Sequence, residues 1–353
     1  MKHTIPFILL LTALSACNRG IGFDIEGKLA DNAAGVVYLV TENTSLDTLA
    51  TAAVGADNTF RLRGKAAEPA TAFICDDNGN VLSVMLIEKS RLHLTPADNG
   101  YVTEGGPVND KYNIILRRLS GVASSAAEID PESETAEEQY ESLTAKYREI
   151  LSTAISDNLD NIIGVELFIG QESKGMSAEE MRARMARFSP RMRELSAMRR
   201  FAEYVDTYER TETGRPFIDI PLTTIAGDDT SLGEICAANR WVLLDFWATW
   251  CEPCLAEIPY LQQAYAKYAL QGFEICSISI DRDPSRWKAF VAHNRMLWTN
   301  ALDTLDEDGE SAAKAYGLQS IPCNFLISPD GTIVARNLRG EELLRELETR
   351  LEY

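Results

Sequence analysis

Histidine is scarce in this chain: His3, His93 and His293 are the only three among 353 residues. Of its seven cysteines only Cys251 and Cys254 stand close together, and there is no second Cys-x-x-Cys pair. A structural zinc site needs four nitrogen or sulfur ligands, so these shortages argue against one, and neither metal nor cofactor is expected. A peroxidase reading is weak, because no peroxidatic cysteine motif stands apart from that pair. Basic residues are outnumbered, 34 against 53 acidic ones, for a net charge of −19. Nucleic acid and anionic lipid surfaces are therefore poor partners. Beyond the first residues, no apolar run reaches the ~20 positions that span a bilayer. What is present is the composition of a soluble globular protein, 45% apolar and 25% charged, with length for two or three domains.

The chain opens on a targeting segment. Lys2 supplies a positive charge, and the apolar stretch Ile5 to Ala16 is too short to cross a membrane but suits a signal peptide. It ends in Leu14-Ser15-Ala16-Cys17, which resembles the bacterial lipobox. That resemblance implies removal of residues 1–16 and diacylation of Cys17, leaving the mature protein tied to a membrane by its N-terminal lipid, in the periplasm. Asn18 does not suggest inner-membrane retention, so the outer membrane is the expected anchor. In that compartment disulfides persist.

Residues 17–106 alternate in the manner of strands, as in Gly22-Phe23-Asp24-Ile25-Glu26-Gly27 and Thr59-Phe60-Arg61-Leu62-Arg63-Gly64. The run Asp76-Asp77-Asn78-Gly79-Asn80 marks a hairpin turn. A small all-β domain, a sandwich, is expected there. It resembles the β-domain often placed ahead of redox modules in lipoproteins. Within it, His93 lies on a strand and is given no ligand role. Gly105-Gly106-Pro107 ends the β pattern, and residues 107–211 turn helical, for example over Glu138 to Leu151. This region is expected to be a helical spacer or a recognition surface. The mixed charges of Arg182 to Arg200 read as a solvated helix face.

Residues 212–353 alternate strand and helix and end in a hairpin. The expected order is an opening strand at 218–225, a central strand at 241–247 and a helix at 252–270. A strand at 273–280, a helix near 285–293 and an insert at 294–317 follow. Strands at 323–328 and 332–336 and a helix at 341–351 close the chain. All five tryptophans fall between Trp241 and Trp298, which places the best-defined aromatic core here.

The chemistry centres on Trp247-Ala248-Thr249-Trp250-Cys251-Glu252-Pro253-Cys254, between a buried strand and a helix. A thiol at a helix N-terminus is drawn toward the thiolate by unpaired N–H groups and the helix dipole. The second cysteine, three residues on, lies on the same face and can close a disulfide. Pro253 fits a first helical turn. Asp245 stands six residues before Cys251, Glu257 and Pro259 follow the pair, and Ser320-Ile321-Pro322 precedes a strand and the turn Pro329-Asp330-Gly331.

These features resemble the thioredoxin superfamily, and within it the periplasmic branch that includes the cytochrome-maturation reductases. The resemblance covers roughly residues 212–353. It implies an α/β domain with a mixed central sheet flanked by helices, preceded here by the small all-β domain and the helical spacer. It further implies that Cys251 attacks a substrate disulfide and that Cys254 resolves the mixed disulfide, with Asp245 or Glu257 as the buried base. Of the two, Asp245 is preferred. Substrate contacts are implied at Trp250, Glu252, Pro253, Ile321 and Pro322, with Pro322 cis. A negative charge at Glu252 should raise the pKa of the adjacent thiol and favour a reducing couple. Cys323 departs from the usual Thr after the cis-proline and reads as a buried small residue, or as a third thiol able to reach the pair. Cys75 and Cys276 read as core thiols, and Cys236 as packed in a short helical turn.

The leading expectation is an enzyme, a lipid-anchored thiol–disulfide oxidoreductase. It would reduce disulfide-bearing exported proteins, including apocytochrome c, and draw electrons from a membrane thiol donor. A disulfide isomerase is the alternative within the same chemistry. A binding lipoprotein with an accessory redox site is the alternative outside it.

Overall fold

The computed structural model describes residues 20–351 except 31–34, 43–45, 98–99 and 306–308. The signal segment and Cys17 lie outside the described residues. Contacts divide the chain into two compact units. Among the described residues, one unit comprises those up to Met176 with Ala183–Phe201, and the other Ser177–Arg182 with those from Ala202. The helical residues 107–211 are thus shared between these units.

The first unit begins with eight strands: β1 (Ile21–Lys28), β2 (Val36–Glu42), β3 (Leu46–Ala53), β4 (Thr59–Ala66), β5 (Thr71–Cys75), β6 (Val81–Leu86), β7 (Arg91–Ala97) and β8 (Gly100–Glu104). They form two four-stranded sheets, ordered β4-β1-β7-β8 and β3-β2-β5-β6. Alternation points Phe23, Ile25, Leu62 and Leu92 of one sheet and Val37, Leu39, Ile74 and Met85 of the other into one core. At the β5–β6 turn, Asp76 Oδ1 accepts from the backbone N–H of Asn78 and Asn80 at 2.9 and 2.7 Å. Gly79 there takes a left-handed φ of 83°. His93 is exposed on β7.

Helix α1 (Pro107–Ala127) belongs to the same body because its start is pinned to the sandwich. Asn109 exchanges two hydrogen bonds with the backbone of Leu86, and the buried Glu88 carboxylate accepts from Asn109 N at 2.9 Å. Helices α2 (Ala136–Ser156), α3 (Ile162–Leu167), α4 (Ala178–Ala186), α5 (Pro190–Arg193) and α6 (Ser196–Arg210) follow.

The redox unit starts with a two-stranded ribbon, β9 (Pro221–Thr223) and β10 (Asp229–Ser231), and helix α7 (Leu232–Ala238). Next come β11 (Trp241–Trp247), α8 (Glu252–Tyr268), β12 (Phe273–Ser279), α9 (Pro284–His293) and β13 (Thr299–Leu302). Then follow α10 (Ala312–Ala315), β14 (Cys323–Ile327), β15 (Ile333–Arg336) and α11 (Gly340–Leu351). The main sheet is ordered β13-β12-β11-β14-β15. Its first three strands are parallel, and β14 and β15 run against their neighbours. Helices cover both faces, the mixed α/β plan that the resemblance implied. On one side Leu243 and Trp247 pack with Ile258 and Leu261 of α8 and Leu343 and Leu347 of α11. On the other, Val242, Leu244 and Phe246 pack with Ile235 of α7 and Tyr316.

Two elements differ from the sequence expectation. The opening strand shrinks to Pro221–Thr223, because Ile218 spends its N–H and C=O on the Tyr316 hydroxyl at 3.0 and 2.8 Å. The stretch 294–317 contains β13, which pairs with β12. A four-residue strand has no periodicity to betray it; the free edge of β12 creates it.

Candidate active site

Strand β11 is buried along nearly its whole length and delivers Trp247-Ala248-Thr249-Trp250 to the head of α8. Cys251 is the N-cap of that helix: its Sγ accepts the Cys254 backbone N–H at 3.2 Å. The two cysteines are joined in a disulfide. Both are recessed, 5% and 3% exposed, while Trp250 beside them is 58% exposed. Glu252 and Pro253 are exposed as well. The pair therefore sits below a rim formed by three of the five residues expected to meet substrate. With Glu252 in solvent, its influence on the thiol is screened.

The residues ahead of Cys251 are held by a clamp that the sequence did not announce. Asp281, buried just past the end of β12, accepts from Thr249 N at 2.8 Å, Thr249 Oγ1 at 2.7 Å and Ser279 Oγ at 2.6 Å. Parallel pairing of β11 and β12 ends at Trp247 and Ser279. Residues just beyond two paired strand ends are thereby neighbours, although 32 positions separate them.

The Ile321–Pro322 peptide is cis. Ile321 packs against the apolar clusters on both faces of the sheet. Arg339 Nη2 donates to the Pro322 carbonyl, and its Nη1 to the Leu338 carbonyl at 2.8 Å. Asn324, in register with Asp245, exchanges hydrogen bonds with the Leu338 backbone at 2.8 and 2.9 Å. The cis-proline loop is thus tied to the segment that leads into α11. Alternation along β14 sends the Cys323 side chain to the Phe246 and Phe325 face, away from the face that holds the disulfide. This corrects the third-thiol alternative: Cys323 is a core residue. Burial pushes its thiol up to about 11, although Arg336 and Arg339 pull the other way. Cys276 is likewise buried, whereas Cys75 is half-buried. Cys236 lies in α7.

Asp245 is 5% exposed and shares its face of β11 with Leu243 and Trp247, the face that α8 covers. Burial pushes its carboxyl up to about 7; the Ser277 hydrogen bond and Arg339 oppose this, and Glu257 adds to it. Glu257 is half-buried, and its Oε2 accepts the Gly340 N–H at 2.8 Å at the start of α11. That bond joins α8 to α11. Among the described residues, no group of three or more His, Cys, Asp or Glu side chains is arranged to hold a metal. No helix among them is long and apolar enough to cross a membrane.

The raised Asp245 has a consequence for stability. Its pKa of about 7 exceeds the ordinary 3.8, so the folded protein holds a proton that the unfolded chain releases at lower pH. This stabilisation is complete below 3.8 and is lost as pH rises through about 7. Asp245→Asn, neutral throughout, escapes the loss. Relative to the wild type it should gain roughly 2–3 kcal/mol between about pH 5 and pH 8. Urea unfolding of both proteins at the two pH values checks this, and an unchanged difference would contradict it.

The AhpC/TSA family profile matches residues 213–336, and that of a domain of unknown function (DUF4369) matches residues 23–112. Thiol-disulfide oxidoreductase ResA from Bacillus cereus is 31% identical over 145 residues, 41% of this chain and 80% of that protein. The protein of the same name from Geobacillus kaustophilus is 28% identical over 134 residues, 37% of this chain and 74% of that one. Among solved structures, the thioredoxin domain of a thiol-disulfide oxidoreductase from Bacteroides vulgatus is 30% identical. That likeness covers 40% of this chain and 98% of the other, with a TM-score of 0.37.

Proposed function

The chain belongs to the ResA-like thiol-disulfide oxidoreductases, and from that premise we propose that it is a lipid-anchored reductant of protein disulfides in the periplasm. The observation that carries the reading is the Cys251–Cys254 disulfide at the head of α8, beneath an exposed rim, in a fold whose cis-proline precedes β14. The Leu14-Ser15-Ala16-Cys17 sequence supports the lipid anchor at Cys17, and Asn18, which does not suggest inner-membrane retention, supports the outer membrane as its place.

In the reduced enzyme, the Cys251 thiolate attacks one sulfur of a substrate disulfide. A Cys251–substrate disulfide forms, and the first substrate thiolate leaves. Cys254 then gives its proton to the Asp245 carboxylate and, as thiolate, attacks Cys251 Sγ. The Cys251–Cys254 bond forms, the Cys251–substrate bond breaks, and the second substrate thiolate departs with that bond's electron pair, to be protonated from solvent as Asp245 gives up the Cys254 proton. Two electrons have passed to the substrate. A membrane-held dithiol is proposed to restore the reduced pair, since the periplasm supplies no reducing buffer. Asp245 is assigned as the base in preference to Glu257, whose Oε2 is committed to the Gly340 N–H. Trp250, Glu252, Pro253 and the Ile321–Pro322 loop are assigned the substrate contacts. Apocytochrome c is the proposed substrate type, on the strength of the Cys-Glu-Pro-Cys loop followed by Glu257.

The test is the reduction potential of the pair, measured on protein beginning at Asn18 in glutathione and dithiothreitol redox buffers. A value near or below about −250 mV is expected of a reductant. A value above roughly −180 mV would overturn the reductase reading in favour of an isomerase or oxidant.

A further inference from the structure

Ser277 lies on β12, in register with Asp245 on β11. Its Oγ donates to Asp245 Oδ2 at 3.1 Å, and it accepts the indole N–H of Trp298 at 2.9 Å. All three side chains are buried. The directions of these bonds are set by chemistry. An indole Nε1 only donates, and a hydroxyl has a single proton. With Trp298 occupying a lone pair of Ser277, the hydroxyl proton is left for the carboxyl. Among the described residues, this is the one hydrogen bond that the Asp245 carboxyl makes. Trp298 is itself fixed by edge-on packing of its ring with Tyr265 of α8, centroids 5.8 Å apart.

We propose that Ser277, oriented by Trp298, is a positioning residue for thiol–disulfide exchange. It occupies Oδ2 of Asp245, so that Oδ1 is the atom that takes and returns the Cys254 proton. The proposal rests on the assignment of Asp245 as the base. Because a hydroxyl donor favours the ionised carboxyl, the same bond sets the pH at which the base becomes available. Other groups face Asp245 from each neighbouring element. Glu257 and the cysteine pair lie on α8, Asn324 on β14 and Arg339 before α11, while Cys276 and Cys323 sit on the opposite face of the sheet and feel Asp245 only through its charge. Arg339 alone among them carries a positive charge. Ser277 and Arg339 are therefore the two groups that oppose the effects of burial and of Glu257.

The experiment is a single-turnover oxidation of the pre-reduced full chain by insulin, followed by quenched alkylation of free thiols across a pH series. The wild-type rate should rise with a midpoint near 7, where Asp245 ionises. Ser277→Ala should move that midpoint upward by roughly 0.5–1 pH unit, the worth of one hydrogen bond. Ser277→Thr, which restores a hydroxyl, should bring it back. Trp298→Phe, which keeps a ring but loses the N–H, should shift it in the same direction by less. Asp245→Asn should abolish the midpoint. An unshifted midpoint in Ser277→Ala, with the midpoint lost in Asp245→Asn, overturns the role of Ser277 and leaves the base assigned. A midpoint that survives in Asp245→Asn overturns the base assignment, and this proposal with it.

Discussion

Cys254→Ser protein, reduced and mixed with a disulfide substrate, is expected to accumulate as a covalent Cys251–substrate adduct. Its turnover should fall by roughly a thousandfold or more, since attack remains possible but the second exchange has no nucleophile. The reciprocal Cys251→Ser variant should lose activity to a similar degree and yield no adduct. The asymmetry follows from position. Cys251 is the helix N-cap, where its sulfur receives a backbone N–H at 3.2 Å, whereas Cys254 lies within the first turn. Hydrogen bonds to the charged form favour that form, so Cys251 is the thiol stabilised as thiolate. Non-reducing electrophoresis and intact-protein mass read the adduct directly. An adduct formed by Cys251→Ser and absent from Cys254→Ser would reverse the assignment of attacking and resolving cysteines.

Asp281→Ala is expected to weaken the redox unit by about 3 kcal/mol, because hydrogen bonds to an ionised partner are worth about 1.5–3 kcal/mol each and unpaired buried donors add a further cost. The carboxylate receives Thr249 N, Thr249 Oγ1 and Ser279 Oγ. Its removal orphans all three in a site too enclosed for easy hydration, since Thr249, Ser279 and Asp281 are each buried. A loss of this size is a large part of the ~5–15 kcal/mol that holds a typical domain together. It should appear as a lower denaturant midpoint for the redox unit. Asp281→Asn keeps one oxygen acceptor and should recover part of the stability. The loop that the clamp holds ends two residues before Cys251, so the rate of attack should fall along with stability. An Asp281→Ala protein within about 0.5 kcal/mol of wild type would place the residue among ordinary surface substitutions instead.

Much of the redox unit was legible in advance because its signals are local. Trp241–Trp247 reads as a buried strand from an apolar run that Asp245 alone interrupts, and the structure returns those same bounds. The head of α8 is marked by the proline in its first turn and by the cysteine that caps it. The sandwich could be inferred from alternation, which places Phe23 and Ile25, and Phe60 and Leu62, on single faces of their strands. What escaped were features without a local pattern. Strand β13 is recruited by the edge of β12, and Ile218 is diverted from a ladder by Tyr316, 98 residues away.

The chemistry is written in the order of the residues: a thiol pair at a helix start, an acid six residues upstream in an apolar run and a proline loop ahead of a strand. Each of these rests on neighbours along the chain, whose spacing dictates face and turn. Tertiary structure alone decided how that chemistry is supported. It joined Asp281 to Thr249, set Trp298 and Ser277 on Asp245, and placed Arg339 on the Pro322 carbonyl. It also turned Cys323 away from the disulfide and engaged Glu257 with α11. The physical reason is the register of β11, β12 and β14. Pairing of these strands brings together side chains that are remote in the chain, and no periodicity within any one of them records which partners they will meet.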